Sequence, residues 1–131
     1  MARASDPSKA IPMIAIVDDD DAVREATAGF VRSLGYSAST FASADEFLES
    51  EQVGNTSCLI TDVRMPGMSG LDLQDRLIAR GHSIPIIFIT GHPDDSVRKR
   101  AMKAGAIGFL AKPVDTDHLI RTLDKAWKAD E

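Results

Sequence analysis

Cys58-Leu59-Ile60-Thr61-Asp62-Val63-Arg64-Met65-Pro66-Gly67-Met68-Ser69-Gly70 is the stretch on which the fold turns. Residues 58–61 are apolar or β-capable and end on a lone carboxylate, Asp62. Pro66, Gly67 and Gly70 then break the backbone, and Leu73, Leu77 and Ile78 recur at helical spacing until Gly81 stops the helix. This is a strand, a tight connection and an amphipathic helix.

The same unit repeats on both sides. Toward the N-terminus, residues 11–17 form an apolar run into an amphipathic helix with Val23, Ala26, Phe30, Val31 and Leu34 at helical spacing, ended by Gly35. Residues 36–41 are β-capable, and Ser43 is an N-cap candidate for a short helix carrying Phe47 and Leu48. Toward the C-terminus, residues 85–89 are almost continuously apolar, as a central parallel strand covered on both faces must be. Val97, Ala101 and Ala104 line the inner side of the fourth helix, Gly105 caps it, and residues 106–111 supply the fifth strand. Leu119, Ile120, Leu123 and Trp127 mark the last helix. Five βα units with right-handed crossovers predict an α/β fold, a doubly wound three-layer α/β/α sandwich around a five-stranded parallel sheet.

A chain of 131 residues fits one domain. Residues 11–128 are read as that domain, 1–10 as a disordered lead or cloning remnant, and 129–131 as a tail. The formal charge of −5 does not give the positive field that attracts nucleic acid, so direct binding to it by this segment is not expected. No apolar run approaches a membrane span, and no secretory signal opens the chain. Cys58 is the single cysteine and has no internal disulfide partner. Together these place the expected compartment in the cytoplasm.

Ligands bind such sheets at the carboxyl ends of the strands. The side chains falling there are Asp18, Asp19 and Asp20 after strand one, Asp62 after strand three, Thr90 after strand four and Lys112 after strand five. Carboxylates gathered this closely need a cation between them, and an oxygen-only donor set favours Mg²⁺, with Mn²⁺ the alternative. With a metal and Lys112 neutralising a phosphoryl donor, one carboxylate can attack phosphorus, and Asp62 is the chosen nucleophile.

Each residue alone has a plainer reading. Asp18 to Asp21 would cap the first helix, Asp62 would form a turn, Thr90 would be a loop hydroxyl and Lys112 a solvated lysine before Pro113. Their joint placement after four strands is what those readings do not explain. Cys58 and Trp127 are expected to be packing residues, and His82 and His118 exposed or locally bonded. His92 reads as a loop histidine, with control of water access to a phosphorylated Asp62 as the alternative.

The ordered set Ile16-Val17-Asp18-Asp19-Asp20, Thr61 to Gly70, Ile89-Thr90-Gly91, and Ala104-Gly105-Ala106 leading to Lys112-Pro113 resembles the receiver domains of response regulators, the CheY-like superfamily, over about residues 12–127. Thr90-Gly91-His92 and Ala101-Met102-Lys103-Ala104-Gly105 are most similar to a FixJ-like subgroup. The resemblance implies the strand order 2-1-3-4-5. It implies phosphorylation of Asp62 by a histidine kinase or phosphotransfer protein, and Mg²⁺ held by Asp19, Asp62 and the Arg64 carbonyl, with Asp18 acting through water. It further implies a cis Lys112–Pro113 bond, phosphate contacts from Lys112 and Thr90, and an aromatic switch at Phe109. The face of helix four, strand five and helix five would then control an output domain or downstream protein, with a phosphorylation-dependent homodimer among the outcomes and no enzymatic activity beyond slow self-dephosphorylation.

Three rivals compete with this reading. Asp19-Asp20-Asp21-Ala22-Val23 also reads as the D-x-D-x-V motif of a haloacid-dehalogenase-type phosphatase with Asp19 as nucleophile. A receiver-like module that never takes phosphate would work by interaction alone. A flavodoxin-like carrier is disfavoured because no Ser/Thr-rich phosphate loop follows strand one.

Overall fold

A computed structural model of the chain describes residues 11–128. The expected lead at 1–10 and tail at 129–131 lie outside the described residues. Within them the chain alternates strand and helix: β1 (Met13–Val17), α1 (Asp21–Ser33), β2 (Ser37–Phe41), α2 (Ala44–Glu49), β3 (Cys58–Asp62), α3 (Gly70–Ala79), β4 (Ile86–Thr90), α4 (Asp95–Lys103), β5 (Gly108–Ala111) and α5 (Thr116–Lys128). A 3-10 turn at Val53–Asn55, which periodicity did not reveal, precedes β3. All strand pairs are parallel and the order is β2-β1-β3-β4-β5, the expected topology.

The strands are short and apolar because both faces are covered. Alternate side chains of β1, β3 and β4 enter two separate cores. Ala15, Val17, Leu59 and Phe88 pack with Phe47, Leu73 and Leu77 on one face. Ile14, Ile16, Ile60, Ile87 and Ile89 pack with Val31, Leu119 and Leu123 on the other. That alternation makes one continuous apolar run serve two helix layers.

Local signals set the helix boundaries. Asp20, Ser43, Ser69 and Asp94 each accept a backbone N–H of the following first turn. Ser69 and Asp72 exchange bonds in a capping box that starts α3. Gly35, Gly81 and Gly105 take positive φ where helices end, as expected of stop signals.

Four of the apolar residues that marked the helices by their spacing lie outside the core. Ala26 and Leu34 of the first helical segment are exposed, and Thr27 and Ala28 are buried in their place. Ile78 is 52% exposed, and the buried neighbour on α3 is instead a polar residue, Gln74. Ala104 is exposed as the C-cap of α4, which leaves Ala101 as that helix's only buried residue. Leu34 and Ala104 are the C-caps that follow the last helical turn, while Ala26 and Ile78 lie within their helices on the exposed side. No helix among the described residues is long and apolar enough to cross a membrane.

Candidate phosphoacceptor and metal site

Register brings the site together. Val17 lies opposite Thr61, Asp62 opposite Ile89, and Thr90 opposite Ala111. Asp18, Asp62, Thr90 and Lys112 are therefore neighbours along the carboxyl edge of the four adjoining strands. The ladder continues one step past the strands, through Asp18 N–H to the Phe41 carbonyl at 3.2 Å and Lys112 N–H to the Thr90 carbonyl at 2.8 Å.

At the centre stands the Lys112 ammonium, 2.9 Å from Asp62 Oδ2 and 3.1 Å from Asp18 Oδ2. Burial alone would lower the pKa of Lys112, but its hydrogen bond to Asp62 and its ion pair with Asp18 override that and hold it above its ordinary value. Asp62 is buried, and its second oxygen accepts the Arg64 N–H at 3.2 Å. Asp18 is fully buried, and its Oδ1 accepts the Asp20 N–H at 2.9 Å. Burial pushes the Asp18 carboxyl up, more than the Asp20 N–H and Lys112 bring it down.

The donor set fits a hard divalent cation. Carboxylate oxygens of Asp18, Asp19 and Asp62 lie within 4.8 Å of one another. Asp18 Oδ2 is buried without a properly directed hydrogen bond among the described residues, since Lys112 approaches it off-axis. An oxygen so placed wants a water or a cation. Asp19 is exposed, so one side of the cluster opens to solvent.

The remaining expected residues fall as follows. Thr90 is buried, and its hydroxyl oxygen accepts the His92 N–H at 3.0 Å, which leaves the O–H to donate elsewhere. His92 acts there through its backbone, while its side chain is exposed. The Lys112–Pro113 peptide is cis. Phe109 is half-buried on β5, with its ring 6.3 Å from that of Phe88. Of the two readings open for Asp20, cluster member or helix cap, the structure shows the cap: its carboxylate accepts the Val23 N–H at 3.1 Å at the head of α1. Asp21, the second acid of the D-x-D reading, pairs on the surface with Arg24.

Two supporting residues escaped the sequence reading. Arg24 donates to the Asp18 carbonyl at 2.8 Å and ties the loop carrying Asp18 and Asp19 to α1. A charged residue on an amphipathic helix ordinarily reads as surface, and only the fold shows its reach. Gly70 starts α3 so close to β3 that a Cβ built there would stand 2.2 Å from the Asp62 carbonyl oxygen. The glycine was visible in the turn, but not the contact that requires it.

Comparison with known proteins agrees with this geometry. Residues 14–124 match the family model described as the response regulator receiver domain. The chain is 47% identical over 116 residues to the response regulator protein TodT of Pseudomonas putida, covering 88% of this chain and 51% of that protein. It is 45% identical over 105 residues to the transcriptional regulatory protein FixJ of Azorhizobium caulinodans, covering 80% of this chain and 50% of that one. The solved structure of the response regulator StyR superposes with a TM-score of 0.84 at 44% identity, covering 92% of this chain and 61% of that chain. The chain thus spans about half the length of these curated relatives. A parallel sheet in the order 2-1-3-4-5, an acidic cluster facing a lysine at its carboxyl edge, and this extent of shared sequence lead to one assignment: the chain belongs to the response regulator receiver domain family of two-component signalling, with a CheY-like fold.

Proposed function

We propose that the domain is a phosphorylation-operated switch in which Asp62 takes a phosphoryl group from the phosphohistidine of a histidine kinase or phosphotransfer protein. The observation that carries this reading is the Lys112 ammonium set between Asp62 and Asp18 at 2.9 and 3.1 Å, beside a three-carboxylate cluster.

Asp19, Asp62 and the Arg64 carbonyl would hold Mg²⁺, with Asp18 acting through water. Bound there, the ion would screen the carboxylates from the phosphoryl oxygens and favour in-line transfer. The chain's own groups do the rest. An Asp62 carboxylate oxygen forms the new bond to phosphorus as the nitrogen–phosphorus bond of the donor breaks, and the imidazole leaves. At rest one Asp62 oxygen is held by Lys112 and the other by the Arg64 N–H, and each keeps a lone pair for the attack. Lys112 moves its contact from Asp62 to a phosphoryl oxygen, keeping the ammonium paired as charge develops. The free Thr90 O–H donates to another phosphoryl oxygen, and that pull on β4 leaves space for the Phe109 ring to turn inward. The face of α4, β5 and α5 then changes its fit to an output domain, a downstream protein or a second copy.

Incubation with acetyl phosphate or phosphoramidate and Mg²⁺ is expected to add one phosphoryl group by intact mass, and Asp62→Asn to abolish it. A wild-type chain that takes no phosphate would favour the pure interaction module, and a label that survives in Asp62→Asn would move the nucleophile elsewhere.

A further inference from the structure

α4 is lightly held for a helix whose surface is to change with phosphorylation. It buries Ala101 alone, whereas α1, α3 and α5 bury three, five and four residues. Val97, nearer its start, is only half-buried. Few buried contacts mean a small free energy of local opening.

What fixes α4 is concentrated at its last turn. The Ala101 carbonyl accepts the Ala106 N–H at 3.1 Å while the Gly105 N–H reaches the Met102 carbonyl at 3.0 Å, the Schellman closure that the φ of +107° at Gly105 allows. Gln74 Nε2 of α3 donates to the same Ala101 carbonyl at 3.1 Å, from a side chain only 2% exposed. Next to it, Asp75 pairs with Arg100 at 2.9 Å on the surface. Neither bond reaches the first turn of α4, whose cap is its own Asp94. A buried amide on the inner face of α3 costs desolvation that a leucine would avoid. Its return is directional, because it sets where one end of α4 sits.

We propose that Gln74 is a positioning residue that clamps the C-terminal end of α4 to α3 and leaves the N-terminal half, which follows Thr90 and the loop 91–94, as the part of the helix free to move. The signalling consequence rests on phosphorylation of Asp62 as proposed above. The clamp itself belongs to the resting domain and is tested there.

Gln74→Met keeps the length and bulk of the side chain but cannot donate. Ala101 still has the Ala106 N–H, so the variant is expected to fold. Residue-resolved amide exchange by NMR should show Ala104, Gly105 and Ala106 exchanging about fivefold faster, the factor for one net hydrogen bond, with α5 and the strands unchanged. Asp75→Asn, which removes only the exposed pair, should leave those rates within about twofold. Unchanged rates at the last turn of Gln74→Met, or a uniform rise across every element, would overturn the clamp. After acetyl phosphate and Mg²⁺, the wild type should shift amides in 91–100 more than in 101–106, and the reverse order would contradict it. Should the wild type take no phosphate, the Asp62 reading falls, while the resting exchange rates still decide the role of Gln74.

Discussion

At the scale of single residues, what distinguishes this site is compensation of charge. Three carboxylates share a space with one ammonium, and Asp18 holds a buried oxygen with no directed donor. A cation that binds only the folded chain must then stabilise it. Mg²⁺ at ten times its dissociation constant should add about 1.4 kcal/mol to the unfolding free energy, and Asp19→Asn should lose most of that gain. Urea denaturation with and without EDTA measures both, and an equal response of wild type and variant would remove Asp19 from the metal site. Cys58 shows the opposite extreme, an ionisable group fully enclosed in the core. Burial pushes its thiol up to about 12, so it stays protonated at pH 8 and should react with a disulfide reagent only as the domain unfolds. Rapid labelling of the native protein would contradict its place in the core.

Among the elements, close approach and capping decide more than propensity. Gly70 lets α3 begin against the backbone of Asp62, and Gly70→Ala would drive a methyl group to 2.2 Å from that carbonyl oxygen. We expect a loss of about 3 kcal/mol or more in urea unfolding, with phosphoryl uptake reduced, because the shift falls on Asp62 itself. At the head of α4, the Ser96 hydroxyl and the Val97 and Ser96 N–H groups hold the Asp94 carboxyl below the usual carboxylate range. A lowered folded value means that this stabilisation is present above the unfolded value and is lost as pH falls through the folded one. The amides of Ser96 and Val97 should therefore lose protection in acid before those of α5, once intrinsic exchange rates are allowed for. The helix ends were legible in advance because Gly35, Gly81 and Gly105 act locally. The inner faces were less so, since Ile78 and Ala104 satisfy helical spacing although Ile78 is exposed and Ala104 is already the C-cap of its helix.

Across the whole molecule, the fold was readable because the two-faced demand on a parallel sheet leaves continuous apolar strands between amphipathic helices. Most of the site was readable for a related reason: a parallel sheet brings the residues at or just past the end of each strand to the same edge, which set Asp18, Asp62, Thr90 and Lys112 in one row. The residues that the reading missed act across the chain. Arg24 and Gln74 look like ordinary helix-surface polar residues, and the partner of Gln74 lies 27 positions away. Asp20 carried an ambiguity that sequence could not resolve, because the same carboxylate can serve a cluster or a cap, and the cap won. The central claim is that this convergence makes Asp62 the phosphoacceptor. Its most direct test is to treat the chain with acetyl phosphate and Mg²⁺, reduce the acyl phosphate with borohydride, and locate the resulting homoserine by peptide fragmentation. The account predicts homoserine at position 62 alone; homoserine at position 18 or 19, with Asp62 unaltered, would contradict it.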